Sequence, residues 1–241
     1  METDAGGGED AVEYFFKKRR IHSKDALEII WYHAANRKAR MKEALNSDAH
    51  MIEADVVFGS QGPIMAHPPE TDSDNTLQNW LNEVLQSDKG IKLDFKSLSA
   101  VEPAMKTLLS MKHCLARPVW INADVLPGPG GNSSERIASN HGYTWEMVKE
   151  MEEVCRALCQ PVTFPVRAAL VAPSWPQLHW LLQQSERYSL TVWTAREDSY
   201  SLQDMSSIRE DFDKSRIYYD LFEPQMSELR HAVKKKIKDH V

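Results

Sequence analysis

Two acidic residues stand inside an otherwise apolar stretch, HMIEADVVFG, at residues 50–59. Side chains at positions i and i+2 of a β-strand point to the same face, so Glu53 and Asp55 share one face of the predicted strand. Two carboxylates side by side in a partly dry site repel each other, and a proton or a cation must relieve the repulsion. Hard divalent cations such as Mg²⁺ and Ca²⁺ bind oxygen ligands of this kind. The pair therefore predicts a divalent cation site.

The next apolar stretch, GIKLDFKS, places Lys92, Asp94 and Lys96 on one face of a second strand. Consecutive strands of a βαβ unit are usually neighbours, so Asp94 is expected beside Glu53 and Asp55 as a third ligand. Lys96 would neutralise an anion at this place, and a phosphate bound to the metal is the natural candidate. The alternative is a buried lysine–aspartate network that only stabilises the fold.

Two histidines follow strand candidates at the same edge. His33 ends the first candidate, and His67 follows a short extension after the second one. Imidazole exchanges protons near neutral pH, which suits general acid–base catalysis. A lone histidine at a strand end is more often structural, but two of them near three acids favour a catalytic pair.

Other polar and aromatic positions leave two readings open. Asn122 and Asp124 share a face of the stretch WINAD with Trp120, and they either extend the site or satisfy backbone groups. Trp193, in LTVWTA, either forms an aromatic wall for a ligand or fills the interior of the fold.

The elements that must position these residues alternate along the chain. Strands are predicted at 27–34, 51–58, 90–96, 118–124, 162–171, 190–195 and 216–222. Helices are predicted at 76–88, 99–115, 144–160, 175–187, 201–213 and 224–238. This alternation indicates parallel βα units of an α/β fold. At 241 residues, a single (β/α)₈ TIM-like barrel fits, with its site at the carboxyl ends of the strands.

Only seven strands are predicted, so one strand–helix unit of the barrel is missing or irregular. The long loop at 125–143 and the chain after it are its expected place. A doubly wound open sheet is the alternative, although the chain lacks the glycine-rich first turn that is typical of that fold.

The composition argues against a nucleic-acid-binding protein and against a membrane-spanning one. We expect one domain over residues 1–241, with residues 1–10 disordered and an N-terminal helix over 11–26. A formal net charge of −6 and a pI near 5.9 give no basic field for nucleic acid. No apolar run approaches the roughly 20 residues that span a bilayer, and the N-terminus lacks the order of a signal peptide. The sequence therefore predicts a cytoplasmic protein without a transmembrane segment.

The order of these motifs resembles a known superfamily. The same order occurs in the phospholipase C-like phosphodiesterases, which are TIM barrels. In this chain the motifs are HAAN with His33 and Asn36, IEADV, His67, the DFK triplet, VWTA and IYYDLFEP. That superfamily includes glycerophosphodiester phosphodiesterases and the spider-venom sphingomyelinase D enzymes. The phrases SDNTLQNWL, GIKLDFKS and WINADVLPGPGG resemble the menorin family, and within it the short member B type without a membrane anchor.

The resemblance implies roles for the candidate residues. It implies His33 and His67 as catalytic acid and base, and Glu53, Asp55 and Asp94 as ligands of Mg²⁺ or Ca²⁺. The candidate substrate-binding residues are Lys96, Lys92, Asn36, Asn122, Asp124 and Trp193.

The implied function is that of a metal-dependent phosphodiesterase, either a phosphoric diester hydrolase or a phospholipase D-like lyase. Its substrate would be a glycerophosphodiester or a (lyso)phospholipid-like molecule, and no protein partner is indicated. Ala34 stands where glycerophosphodiester phosphodiesterases carry arginine, and Pro68 where they carry aspartate, so their substrate does not transfer to this chain. The alternatives are an inactive barrel that binds a ligand or protein, and, more weakly, a two-carboxylate glycosidase.

Overall fold

A computed structural model describes residues 10–60, 62–123, 142–194, 198 and 201–238, without the side chains of residues 204, 207 and 236–238. The fold is mixed α/β, with parallel strands in its sheets. The strands are β1 (Trp31–Tyr32), β2 (Met51–Gly59), β3 (Gly62–Met65), β4 (Gly90–Phe95), β5 (Val119–Ala123), β6 (Val162–Arg167), β7 (Tyr188–Trp193) and β8 (Ile217–Asp220). The helices are α1 (Ala11–Lys17), α2 (Lys38–Asn46), α3 (Leu77–Val84), α4 (Leu98–Ser110), α5 (Trp145–Cys155), α6 (Ala168–Val171), α7 (Trp175–Gln183), α8 (Leu202–Asp211) and α9 (Gln225–Lys238).

The chain divides into two compact units. We call Met1–His22 with Ile29–Val125 the N-terminal unit, and Ser23–Glu28 with Leu126–Val241 the C-terminal unit. The expectation of one domain over the whole chain stays a prediction. Within the described residues, no helix has both the length and the apolar content to span a membrane.

In the N-terminal unit, β1, β2, β4 and β5 lie side by side in that order and run parallel, while β3 pairs antiparallel with β2. Side chains alternate between the two faces of a strand, so Ile52, Ala54 and Val56 of β2 share one face, where α2, α3 and α4 cover them. Burying each such aliphatic side chain stabilises the fold by about 1.5–3 kcal/mol. The residues between them, Glu53 and Asp55, therefore lie on the face that these helices leave uncovered.

The C-terminal unit repeats this arrangement with β6, β7 and β8, which are parallel and in that order. Phe164, Leu190 and Ile217 lie on the apolar face with side chains from α5, α7, α8 and α9. The opposite face is polar at Thr163 and Thr191, whose hydroxyl oxygens are 2.8 Å apart. Both sheets thus have one apolar face covered by helices and one face that carries polar groups.

Several predicted elements are shorter in the structure, and three of them have a clear physical reason. The helix expected over 11–26 ends at Lys17, because the basic run that follows offers no apolar face to bury. The strand expected over 27–34 is reduced to β1, since residues 26–28 form a 3₁₀ turn. The strand expected over 162–171 ends at Arg167, where α6 begins, because a short apolar run suits a buried helix as well as a strand.

Besides α6, two observed elements were not predicted. The hairpin strand β3 begins at Gly62, whose φ of 130° lies in the region that favours glycine. Helix α2 buries only Met41 and Ala44, so its apolar periodicity is weak. The loop that was expected to hold the missing barrel unit falls mostly on 124–141, outside the described residues, as does nearly all of the predicted disordered segment 1–10.

Candidate functional site

Neighbouring strands bring the predicted acids together in rows across the sheet. On β2 and β4, Glu53 is in register with Lys92, and Asp55 is in register with Asp94. One strand further, on β5, Asn122 is in register with Asp94. The acids therefore lie at consecutive positions on the face that the helices leave uncovered, towards the carboxyl ends of the strands.

The three carboxylates form a compact buried cluster. Glu53, Asp55 and Asp94 are 6%, 5% and 8% exposed, and one oxygen of each lies within 4.8 Å of one oxygen of the others. Such an all-oxygen set matches the ligands that Mg²⁺ and Ca²⁺ prefer. The chemistry of the donors thus fits the predicted divalent cation.

Each carboxylate is held through one oxygen by a neighbouring N–H group. The donors are Ala34 N to Glu53 Oε2 at 2.9 Å, Asn36 Nδ2 to Asp55 Oδ2 at 3.0 Å, and Asn122 Nδ2 to Asp94 Oδ1 at 2.8 Å. Charge-assisted hydrogen bonds of this type fix orientation as well as adding stability. The amides of Asn36 and Asn122 therefore orient the acids in this structure, and their predicted contact with substrate stays a prediction.

Lysine side chains supply positive charge beside the cluster. Lys96 Nζ lies 2.7 Å from Asp94 Oδ2 and 3.6 Å from Asp55 Oδ1. Lys92 Nζ lies 5.8 Å from the ring centroid of Trp31. Three carboxylates and two lysines therefore lie close together, which leaves this group with one formal negative charge in excess.

The acids differ in how easily they ionise. Burial raises the pKa of Glu53, but the nearby His33 imidazole, the charge of Lys92 and the hydrogen bond from the Ala34 N–H outweigh it and lower the pKa to about 2. Burial, and next the negative charge of Glu53, raise the pKa of Asp55. A divalent cation would favour the ionised form of both groups.

His33 lies directly against the cluster. Its Nδ1 atom is 3.6 Å from Glu53 Oε2, and its ring stacks on Trp31 with centroids 6.3 Å apart. The side chain is 44% exposed, so the ring is oriented by its neighbours and still reaches solvent. This combination suits a group that exchanges protons with a bound ligand.

His67 lies at the same edge of the sheet. The preceding residue, Ala66, donates its N–H to the carbonyl oxygen of Asp55 at 3.1 Å. The His67 side chain is exposed, with Nδ1 2.7 Å from the carbonyl oxygen of Pro68. The backbone therefore brings the second predicted histidine next to the strand that carries two of the acids.

The remaining two predicted residues are Asp124 and Trp193. Asp124 falls outside the described residues. Trp193 belongs to the C-terminal unit, where the guanidinium carbon of Arg167 is 5.9 Å from its ring centroid and Arg167 Nε donates to both Asp198 oxygens at 2.9 Å. A place for Trp193 in the substrate pocket stays a prediction.

The sequence reasoning did not identify the backbone N–H of Ala34 as part of the site. Ala34 has a φ of 53°, a left-handed conformation that is uncommon for residues other than glycine. That conformation accompanies the hydrogen bond from its N–H to Glu53. An alanine carries no sequence signal for such a role.

Comparisons with known proteins give matches over nearly the whole chain. The family profile of the menorin N-terminal domain matches residues 25–139 and 134–226. Protein FAM151B of Homo sapiens is 52% identical over an alignment of 270 residues, which covers 97% of this chain and 98% of the human protein. No solved structure gave a significant match.

Proposed function

The chain belongs to the menorin family, and from that premise we propose that it is a metal-dependent phosphodiesterase. Its substrate would be a glycerophosphodiester or a (lyso)phospholipid-like molecule. The observation that carries the proposal is the buried cluster of Glu53, Asp55 and Asp94 with the ammonium group of Lys96 against it. Burying three acids together is costly unless the site uses them.

In this proposal, Glu53, Asp55 and Asp94 hold Mg²⁺ or Ca²⁺. The ion, when bound, supplies Lewis acidity that polarises a phosphoryl oxygen and neutralises developing charge. Support comes from the donor set, which contains only carboxylate oxygens, and from the N–H groups that hold each acid in place.

Lys96 would contact the phosphate. Its ammonium group already faces one oxygen of Asp55 and one of Asp94, so a phosphoryl oxygen beside these acids would lie within its reach. Hydrogen bonds between an ammonium and a phosphate are charge-assisted and therefore strong.

His33 and His67 would share the proton transfers. One imidazole takes the proton of the attacking hydroxyl group, and the other gives a proton to the leaving oxygen. Glu53 orients the His33 ring for this task. A water nucleophile makes the enzyme a hydrolase, whereas a hydroxyl of the substrate itself gives a cyclic phosphate and makes it a lyase.

The fold that we propose for this chemistry is a single closed (β/α)₈ barrel. Seven parallel strands alternate with helices, and each sheet has a helix-covered apolar face and a polar face, as the strands of such a barrel require.

Turnover measurements test the proposal. The wild type is incubated with glycerophosphodiesters and lysophospholipids in Mg²⁺ and then in EDTA, together with His33→Ala and Asp94→Asn. His113→Ala is the control, because this exposed histidine lies in a 3₁₀ turn remote from the acids in sequence. We expect turnover only in Mg²⁺, with loss of about 100-fold or more in both site variants. Absence of product, or equal rates for His33→Ala and the control, would refute the proposal.

The second candidate is an inactive protein that uses the same scaffold to bind a ligand or a protein. The contact between Lys96 and Asp94 favours it, because the chain's own lysine already offsets part of the charge. Calorimetric titration that detects no divalent binding by a stably folded protein would support this alternative.

A further inference from the structure

The segment SDNTLQNWL, residues 73–81, has no part in the proposed chemistry, yet it carries two fully buried side chains with polar groups. Asn75 is 1% exposed and Trp80 is 0% exposed. Trp80 lies on α3, whose N-terminus is capped by Thr76 through a hydrogen bond to the N–H of Asn79. Buried N–H donors need partners, and the partners of these two lie beside the candidate site.

Both side chains donate to consecutive carbonyl groups of one short segment. Trp80 Nε1 donates to the carbonyl oxygen of Ala35 at 2.8 Å. Asn75 Nδ2 donates to the carbonyl oxygen of Asn36 at 3.1 Å. The carbonyl oxygen of Asn75 in turn accepts the N–H of Met65, which fixes Asn75 to β3.

The same segment, residues 33–36, binds the acids through its other groups. Ala34 and Ala35 donate their N–H groups to the Glu53 side chain and carbonyl, respectively, at 2.9 Å each. Asn36 Oδ1 accepts the N–H of Asp55 at 2.8 Å. The carbonyl groups of this segment thus bind residues 75 and 80, while its amide groups bind β2.

The segment also needs support because its backbone is unfavourable on its own. A left-handed alanine, such as Ala34, costs roughly 1–2 kcal/mol and persists only where its surroundings fix it. Two buried donors of fixed geometry provide that support, and an indole N–H can only donate.

We propose that Asn75 and Trp80 are positioning residues that hold the backbone of residues 33–36, so that His33 and Asn36 meet Glu53 and Asp55. This inference rests on the proposed function for its catalytic consequence, but not for its structural one. Replacing a tryptophan that only filled the core by phenylalanine would loosen the N-terminal unit in general, without a particular effect on residues 33–36.

The experiment compares Trp80→Phe and Asn75→Ala with Leu81→Ala. Trp80→Phe keeps an aromatic ring in the core but removes the indole N–H together with part of the buried ring volume, so its effect is read against a variant that loses volume alone. Leu81 is fully buried on the same helix and in the same core, so Leu81→Ala controls for general loss of stability. Amide hydrogen exchange is followed at Ala35 and, as the internal reference, at Leu93 on β4.

Loss of one of these hydrogen bonds should speed exchange at Ala35 relative to Leu93 by about 5- to 10-fold in both test variants. In Leu81→Ala the two amides should change by the same factor. In the turnover assay, the test variants should lose kcat by about 10-fold with little change in KM, because a misplaced His33 affects the chemical step.

The inference is overturned if the exchange ratio of Ala35 to Leu93 in Trp80→Phe equals that in Leu81→Ala. It is also overturned if Leu81→Ala, at matched thermal stability, lowers kcat as much as Trp80→Phe does. If the wild type shows no turnover, the proposed function fails, and the exchange ratio still decides whether these residues position the segment.

Discussion

Asn36 holds Asp55 at two points: its Nδ2 donates to Asp55 Oδ2 at 3.0 Å, and its Oδ1 accepts the backbone N–H of Asp55 at 2.8 Å. The donor and the acceptor of the Asn36 side-chain amide therefore both bind the same residue of the acid cluster. Such a contact fixes both the rotamer and the backbone of Asp55, which suits a ligand that must be oriented before it binds.

We expect Asn36→Ala to lower the free energy of unfolding by about 1–3 kcal/mol, because it leaves the N–H of Asp55 buried without this partner. Asn122→Ala is the matched control: among the residues that the structure describes, the Asn122 side chain hydrogen-bonds to Asp94 alone, and it is partly exposed, so its loss should cost about 1 kcal/mol. Urea denaturation measures both. An equal loss in the free energy of unfolding for both variants would show that the two-point contact stabilises the fold no more than the single one.

Replacing Lys96 tests the charge balance of the cluster. Lys96→Met leaves Asp55 and Asp94 facing each other without the ammonium group, and in EDTA this should lower the free energy of unfolding by about 1–3 kcal/mol. Added Mg²⁺ should restore part of the loss. Lys106→Met removes an exposed lysine paired with Glu102 and should change stability by less than about 1 kcal/mol. If both variants behave alike, Lys96 is not coupled to the acids.

The pH dependence of Glu53 follows from its lowered pKa. A folded pKa of about 2, against 4.5 in the unfolded chain, means that Glu53 stabilises the fold above pH 4.5, and that this contribution is lost as the pH falls towards 2. For this buried group it amounts to about 3 kcal/mol. His33→Ala removes the imidazole that helps to lower the pKa of Glu53, so this pKa should rise and the loss of stability should begin at higher pH.

The carboxyl ¹³C shift of Glu53, followed from pH 2 to pH 6, measures this change. His113→Ala should leave the titration as in the wild type. A Glu53 midpoint that is the same in His33→Ala and in the wild type would contradict the described contact between His33 and Glu53.

A prediction for the C-terminal unit concerns Arg209. Its side chain is 4% exposed, and both of its terminal nitrogens contact the carboxylate of Asp25. Asp25→Asn removes the partner charge and leaves a buried guanidinium, so we expect a loss of about 3–5 kcal/mol in the free energy of unfolding. Glu102→Gln, at an exposed pair with Lys106, should have almost no effect. Thermal melting of both variants checks the difference, and a melting temperature of Asp25→Asn within error of the wild type would contradict it.

Strand periodicity was enough to predict that the acids lie together. The period of two put Glu53 and Asp55 on one face, and the neighbour rule for βαβ units put Asp94 beside them; the register of Asp55 with Asp94 confirms both steps. The menorin assignment, made from short phrases, is also confirmed. The catalytic, metal-binding and substrate-binding roles of these residues stay predictions.

The remaining features depend on backbone conformation or tertiary context. The left-handed φ of Ala34 depends on groups distant in sequence, Glu53 among them. The residue type alanine does not predict this conformation. The early end of β6 at Arg167 depends on whether a short apolar run is buried as a strand or as a helix, which periodicity does not distinguish.

The most direct measurement is a crystal of the protein soaked in Mn²⁺, with diffraction recorded at a wavelength where manganese scatters anomalously. We predict one anomalous peak at about 2.0–2.3 Å from oxygens of Glu53, Asp55 and Asp94, and loss of this peak in Asp94→Asn. Absence of a peak at these residues under saturating Mn²⁺, with Lys96 still bound to Asp94, would contradict the metal site on which the proposed function rests.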